Sequence, residues 1–165
     1  FSSSISFNSY GGWFDKTVCV DTDAQIRNYT IYLPNETEPF SGNNLCEYEN
    51  GQVKSKGEIE DGKKDGIWFD WWENGQKQVE GNYKDGKVDG KQTTWYENGQ
   101  MKKEYNFKDG KQDGKETSWY ENGQMQVEAN FKDGEFDGKY TIWNTNGSID
   151  TRGKYKDGVR VKYND

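Results

Sequence analysis

Histidine is absent from this 165-residue sequence. With it go the commonest general base at neutral pH, the most frequent zinc ligand and the Ser-His pairing of nucleophilic hydrolases. Cysteine is almost absent: Cys19 and Cys46 are too few for a structural zinc site. Apolar residues are scarce, 30% against 31% charged, which is poor material for a conventional closed core. No run approaches the roughly 20 apolar residues of a membrane-spanning helix, so a soluble chain is expected. Basic clusters are missing too. The 22 basic residues are interleaved with 29 acidic ones for a net charge of -7, which argues against a phosphate-backbone binder. No Walker or dinucleotide glycine motif occurs. Carboxylates are plentiful, so composition alone leaves a two-acid glycosidase open. A protein without enzymatic activity, cofactor or metal is the expectation.

What the sequence has instead is aromatics, 16% of its residues, and a period. Disordered chains are depleted in aromatics, which carry large buried areas, so a folded but thin and extended object is expected. Asn-Gly recurs with its glycine at Gly51, Gly75, Gly99, Gly123 and Gly147, a step of 24 residues. Asp-Gly recurs in the same step at Gly62, Gly86, Gly110, Gly134 and Gly158, and a third glycine series runs through Gly42, Gly66, Gly90, Gly114 and Gly138. Self-similarity at such a fixed period is the signature of solenoids and arrays.

Each unit reads as a β-hairpin. Asn98-Gly99 lies between two β-prone runs, and both residues tolerate φ > 0, which favours a two-residue type I′ turn. Two Asp-Gly steps, at Asp109-Gly110 and Asp113-Gly114, then supply a longer reversal before the next unit. The fold class is therefore all-β: one elongated antiparallel sheet of tandem 24-residue hairpins. Ten to twelve strands at the usual spacing extend roughly 50 to 60 Å. The two-residue loop pairs Tyr96 with Met101 and Gly90 with Phe107, placing Tyr96, Met101, Lys103, Tyr105 and Phe107 on one face. Trp68, Trp72, Val79 and Tyr83 join that apolar face, as do Tyr120, Met125, Val127, Ala129 and Phe131, then Tyr140, Ile142, Ile149 and Tyr155. The opposite face is polar except for Trp71, Trp95, Trp119 and Trp143, a candidate aromatic strip for binding with roughly 10 Å between neighbours. Two readings of this row stay open: indoles packed flat on their own sheet, or a partly exposed platform for a protein edge or an extended polymer. A three-residue loop, Glu97-Asn98-Gly99 with a bulge, would move the row to the apolar face.

The runs Trp95-Tyr96-Glu97-Asn98-Gly99-Gln100 and Phe107-Lys108-Asp109-Gly110-Lys111-Gln112-Asp113-Gly114 resemble the MORN repeat, in the variant of bacterial YwqK-type antitoxin components. The resemblance covers about residues 38–165. It implies an elongated curved sheet that serves as a scaffold or recognition surface, with protein or lipid partners and no cofactor. Departures are Tyr105 and Ala129, where Gly57, Gly81 and Gly153 stand in other units, and Asn144-Thr145-Asn146, which reads as a worn terminal unit.

Residues 1–37 do not repeat. Ile5 and Phe7 alternate like a short strand, and Asn28 to Leu33 reads as another, stopped by Pro34. This segment is expected to cap the first hairpin, whose open edge invites pairing. Alternatively Phe1, Ile5 and Phe7 lie on a strand donated to a neighbour. A start at Phe1 suggests a processed, exported chain with Cys19 and Cys46 joined in a disulfide; free thiols in a cytosolic protein are the alternative. The paired Asp85/Asp89, Asp109/Asp113 and Asp133/Asp137 recur with the unit and read as turn chemistry rather than calcium ladders or catalytic acids. Asn28, Asn35 and Asn146 match the glycosylation pattern, which matters only in a eukaryotic secretory route. The leading function is a protein-binding scaffold, with a self-associating exported subunit or an antitoxin-like sequestering protein as alternatives. Nucleic acid and lipid are not expected partners.

Overall fold

The computed structural model of the protein describes residues 16–162; Phe1, Ile5 and Phe7 lie outside them. The chain opens with β1 (Thr17–Val18), a single helical turn α1 (Val20–Asp23) and the hairpin β2 (Gln25–Arg27) and β3 (Thr30–Tyr32). The repeat region follows as β4 (Gly42–Glu47), β5 (Val53–Glu60), β6 (Lys63–Trp71), β7 (Lys77–Lys84), β8 (Lys87–Trp95) and β9 (Met101–Lys108). It continues as β10 (Lys111–Gln112), β11 (Gly114–Trp119), β12 (Met125–Lys132), β13 (Glu135–Phe136), β14 (Gly138–Trp143), β15 (Ile149–Lys156) and β16 (Val159–Val161). One sheet runs in the order β1-β4-β5-β6-β7-β8-β9-β11-β12-β14-β15-β16, and β2-β3 form a separate pair. Neighbours are antiparallel except β1, which lies parallel to β4. The expected all-β sheet of tandem hairpins is what the sequence folds into.

The two turn types are exchanged relative to the expectation. Asp-Gly makes the tight two-residue turn: Asp109 (φ 51°) and Gly110 (φ 80°) are both left-handed and Lys108 pairs with Lys111, which is type I′. The second step, Asp113-Gly114, is no part of the reversal. It interrupts one strand between β10 and β11, where the Asp113 N–H donates to Asn106 O at 2.8 Å. At Asn98-Gly99 only the glycine has positive φ, 85°. Gly99 N–H donates to Tyr96 O at 2.9 Å and Tyr96 N–H to Gln100 O at 2.8 Å, so the loop is the three-residue form with a bulge. The Asn98 side chain holds it by accepting from Gln100 N–H at 3.0 Å.

Beyond that loop a second irregularity restores the register. Trp95 faces Met101 whereas Thr94 faces Lys103, leaving Lys102 as the extra residue. Gly90 therefore still faces Phe107, as a two-residue loop would give. Four further hairpins shift at the equivalent place, before Glu47, Trp71, Trp119 and Trp143. Met101, Met125 and Ile149 are consequently not on the apolar face: they sit opposite Trp95, Trp119 and Trp143.

The core lies at the first end of the sheet. Val18, Ile31, Phe40, Ile59 and Trp68 are buried together, with Val20, Ala24, Leu33 and Tyr83 packed around them. The non-repeating segment thus covers one face of the first hairpins, pinned by Ile31 N–H to Gly62 O at 2.8 Å and by the Cys19–Cys46 disulfide. Asp21 lies beside the two sulfurs, but sulfurs joined to each other present no thiolate to a metal.

Candidate functional site

Strand alternation and the register divide the side chains between two faces. The cap face, lying under residues 17–40, carries Ile59, Trp68, Gly81 and Tyr83 and continues through Tyr105, Phe107, Ala129 and Phe131 to Tyr140 and Tyr155. The tryptophan face carries Trp71, Trp95, Trp119 and Trp143, so the three-residue loop does not transfer the row. The extra bulge absorbs the change of phase and moves the methionines instead.

Each tryptophan is half-buried. Trp71 stacks on Phe69 with ring centroids 5.6 Å apart, and the Lys77 ammonium lies 5.2 Å from the Phe69 ring and 5.5 Å from that of Trp95. Beside the indoles runs a cross-strand line in which Glu80, Thr93, Glu104, Thr117, Glu128 and Thr141 face one another in turn. Its carboxylates pair with the next line: Lys91 meets Glu104 at 2.5 Å and Lys115 meets Glu128 at 2.7 Å. Trp95, Met101, Thr93, Lys91, Glu80 and Glu104 line a shallow depression of about 270 Å³.

The tryptophan main chain is also tied into the array. Tyr48 donates its hydroxyl to Trp71 O at 2.6 Å, Trp72 its indole N–H to Trp95 O at 3.3 Å, Tyr96 its hydroxyl to Trp119 O at 2.9 Å and Tyr120 its hydroxyl to Trp143 O at 2.8 Å. A parallel ladder joins Asn74 Nδ2 to Glu97 O at 2.8 Å and Asn98 Nδ2 to Glu121 O at 3.3 Å. Each hairpin therefore clamps the next along the turn edge.

On the cap face the charged residues at the first end are strained by burial. Lys64 sits 4.0 Å from the Trp68 ring and 5.2 Å from that of Tyr83, and burial pushes its ammonium below the ordinary lysine range. Burial pushes the Asp70 carboxyl and the Tyr83 phenol upward. Farther along, where nothing among the described residues covers it, the face is an aromatic surface. Phe131 and Phe136 are 4.3 Å apart between centroids, Phe136 and Tyr155 5.1 Å, and Tyr140 and Tyr155 5.2 Å. Phe136 is 40% exposed. The sequence reading missed Phe136. Its signal was a break in the period, since Lys64, Val88 and Gln112 occupy the equivalent positions.

These features define a class, an extended hairpin-repeat protein with one face partly capped and the other banded by tryptophan. The model of the MORN repeat variant matches residues 64–85, 88–109 and 112–133, so the chain carries three tandem repeats of that kind. No curated protein matches the chain. The hairpins before and after the matched segments keep the same loop and bulge, the first with the same Tyr-Glu-Asn-Gly-Gln loop and the last with Asn144-Thr145-Asn146-Gly147-Ser148 in its place.

Proposed function

We propose that this protein is a non-enzymatic scaffold that binds a partner protein on the uncapped part of the cap face. The observation that carries this reading is the aromatic surface of Phe131, Phe136, Tyr140 and Tyr155, which continues the face already used to hold residues 17–40. MORN repeats generally serve as protein-binding modules, which favours the same assignment. Aromatic rings in such a position supply large contact area at low entropic cost. The disulfide favours an oxidising, extracellular or periplasmic location.

Sequestration of a single protein, as in the YwqK-type antitoxin resemblance, is the case of one dedicated partner. Self-association is the case in which the partner is a second copy. A photo-crosslinking residue in place of Phe136, in the producing cell, separates them by adduct mass. The Phe136→Ser/Tyr155→Ser variant is expected to keep its circular dichroism and lose about tenfold or more in affinity for the crosslinked protein. Unchanged affinity in the folded variant would remove the aromatic surface as the site.

A further inference from the structure

The tryptophan face is independent of that site, lying on the other side of the sheet, and it has a pitch. Trp71, Trp95, Trp119 and Trp143 stand on every second strand of the path, so an indole recurs about every 10 Å at the usual strand spacing. In the two middle units the recurrence extends to the surroundings. Around Trp95 stand Lys91, Glu104 and Met101; around Trp119 stand Lys115, Glu128 and Met125. A ligand that engages successive units equally must repeat at the same pitch.

That condition discriminates between polymers. An extended peptide repeats every two residues, about 6.7 Å, and falls out of step by about 3 Å per unit. A β-1,4-linked hexopyranose chain turns alternate sugars over, so the same face returns with each disaccharide, whose length is close to the pitch. Charge narrows the choice further. Lys91 and Lys115 are neutralised by Glu104 and Glu128, and Lys77 by Glu80 at 2.7 Å, so around Trp95 and Trp119, the middle of the row, these ion pairs leave no excess charge to offer an anionic or cationic polymer. What it offers is a polarizable indole, a thioether and hydrogen-bonding ammonium and carboxylate groups on the flank, a lining suited to the apolar face and edge hydroxyls of a sugar ring.

We propose that the tryptophan face is a binding platform for a neutral, unbranched β-1,4-linked glycan, laid across the strands with one disaccharide per tryptophan. Met101, 41% exposed, completes the platform between Trp95 and the next unit.

The full chain is titrated with cello-oligosaccharides from the disaccharide to the octasaccharide, and with chitohexaose, by calorimetry and tryptophan fluorescence. The proposal expects affinity to rise by about tenfold from disaccharide to hexasaccharide as further units engage. The stronger of the cello- and chito-hexasaccharides identifies the sugar. Maltohexaose, whose α-linkage coils the chain, is expected to bind about tenfold or more weaker. Trp95→Thr/Trp119→Thr should lose the length dependence. Because that variant touches half-buried rings, Met101→Glu serves as a second: it changes an exposed side chain, leaves the melting temperature in place, and weakens the hexasaccharide by about tenfold. Absence of binding by either β-linked hexasaccharide, equal binding of maltohexaose, affinity independent of length, or preference for an extended peptide would each overturn the proposal.

Discussion

Tyr29 occupies a position that the repeats give to glycine. In the two-residue turn between β2 and β3, Asn28 has φ 49° and Tyr29 φ 63°, the same left-handed pair that Asp and Gly adopt in the repeat turns. The ring gains nothing for this conformation within the described chain, being 98% exposed. A left-handed L-residue costs roughly 1–2 kcal/mol, whereas glycine gives back about 0.5–1 kcal/mol through the greater freedom of the unfolded chain. Tyr29→Gly is therefore expected to raise the unfolding free energy by about 0.5 kcal/mol, read from a denaturant midpoint with unchanged slope. A fall would mean that the ring supports the hairpin. Gly57 shows the opposite logic, since a Cβ there would lie 2.4 Å from the Trp68 indole. Tyr140 crowds Gly153 in the same way. Tyr105 and Ala129, the two departures from the repeat, face Gln92 and Glu116 across their hairpins, where Gly153 faces the Tyr140 ring.

A hairpin here is held both by its own turn and by the clamp onto the next. Tyr96→Phe and Tyr120→Phe each remove one hydroxyl bond to a tryptophan carbonyl and should each cost about 1 kcal/mol. Lying in successive hairpins without a shared partner, they should add to about 2 kcal/mol in the double variant; a double variant no worse than either single would show that the ladder does not bear on stability. The Lys64 environment gives a second test. Its folded pKa lies below the ordinary lysine value of 10.5, so over the window between the two the unfolded chain holds more protons and stability rises with pH. Tyr83, raised from 10.0, works in the opposite sense at higher pH. In Lys64→Met only the first contribution disappears, so wild type should gain on the variant as pH rises towards 10.5; parallel pH profiles would contradict the shift.

Such clamps also explain what could be read from the sequence. Period, hairpins, the Gly90–Phe107 pairing and the position of the tryptophans relative to Thr93 follow from glycine spacing and strand alternation. The turn types do not, because Asn-Gly and Asp-Gly both tolerate φ > 0 locally. The choice is made by the Asn98 side chain reaching Gln100 and the next hairpin. The methionines were misplaced for the same reason, since the compensating bulge at Lys102 leaves no mark in composition. The candidate platform was thus legible as a row of tryptophans, but not as tryptophan-methionine pairs, and the Phe131-Phe136-Tyr155 surface required the register of three strands.

At the scale of the molecule, stability is distributed unevenly along the sheet. In the repeat region each hairpin pairs with its neighbours along the sheet, so the array behaves as a one-dimensional chain of units whose stabilities add. The buried apolar cluster of Val18, Ile31, Phe40, Ile59 and Trp68 joins the non-repeating segment to the first hairpins, and the disulfide between them closes a separation of 27 residues. A cross-link of that span contributes about 3.5 kcal/mol by restricting the unfolded chain. At the far end the residues are half-exposed aromatics, and among the described residues β16 pairs only with Lys154, Tyr155 and Lys156. Amide exchange is therefore expected to be slowest in β5 to β7 and fastest in β14 to β16, the latter opening without the rest. Reduction of Cys19–Cys46 should accelerate exchange in the first hairpins while leaving β14 to β16 unchanged, since the far units are coupled to the disulfide only through every unit between. Mass-resolved exchange on oxidised and reduced protein measures both. If all strands exchanged at one rate and shifted together on reduction, the sheet would unfold as a single unit, and the nearest-neighbour picture of its stability would fail.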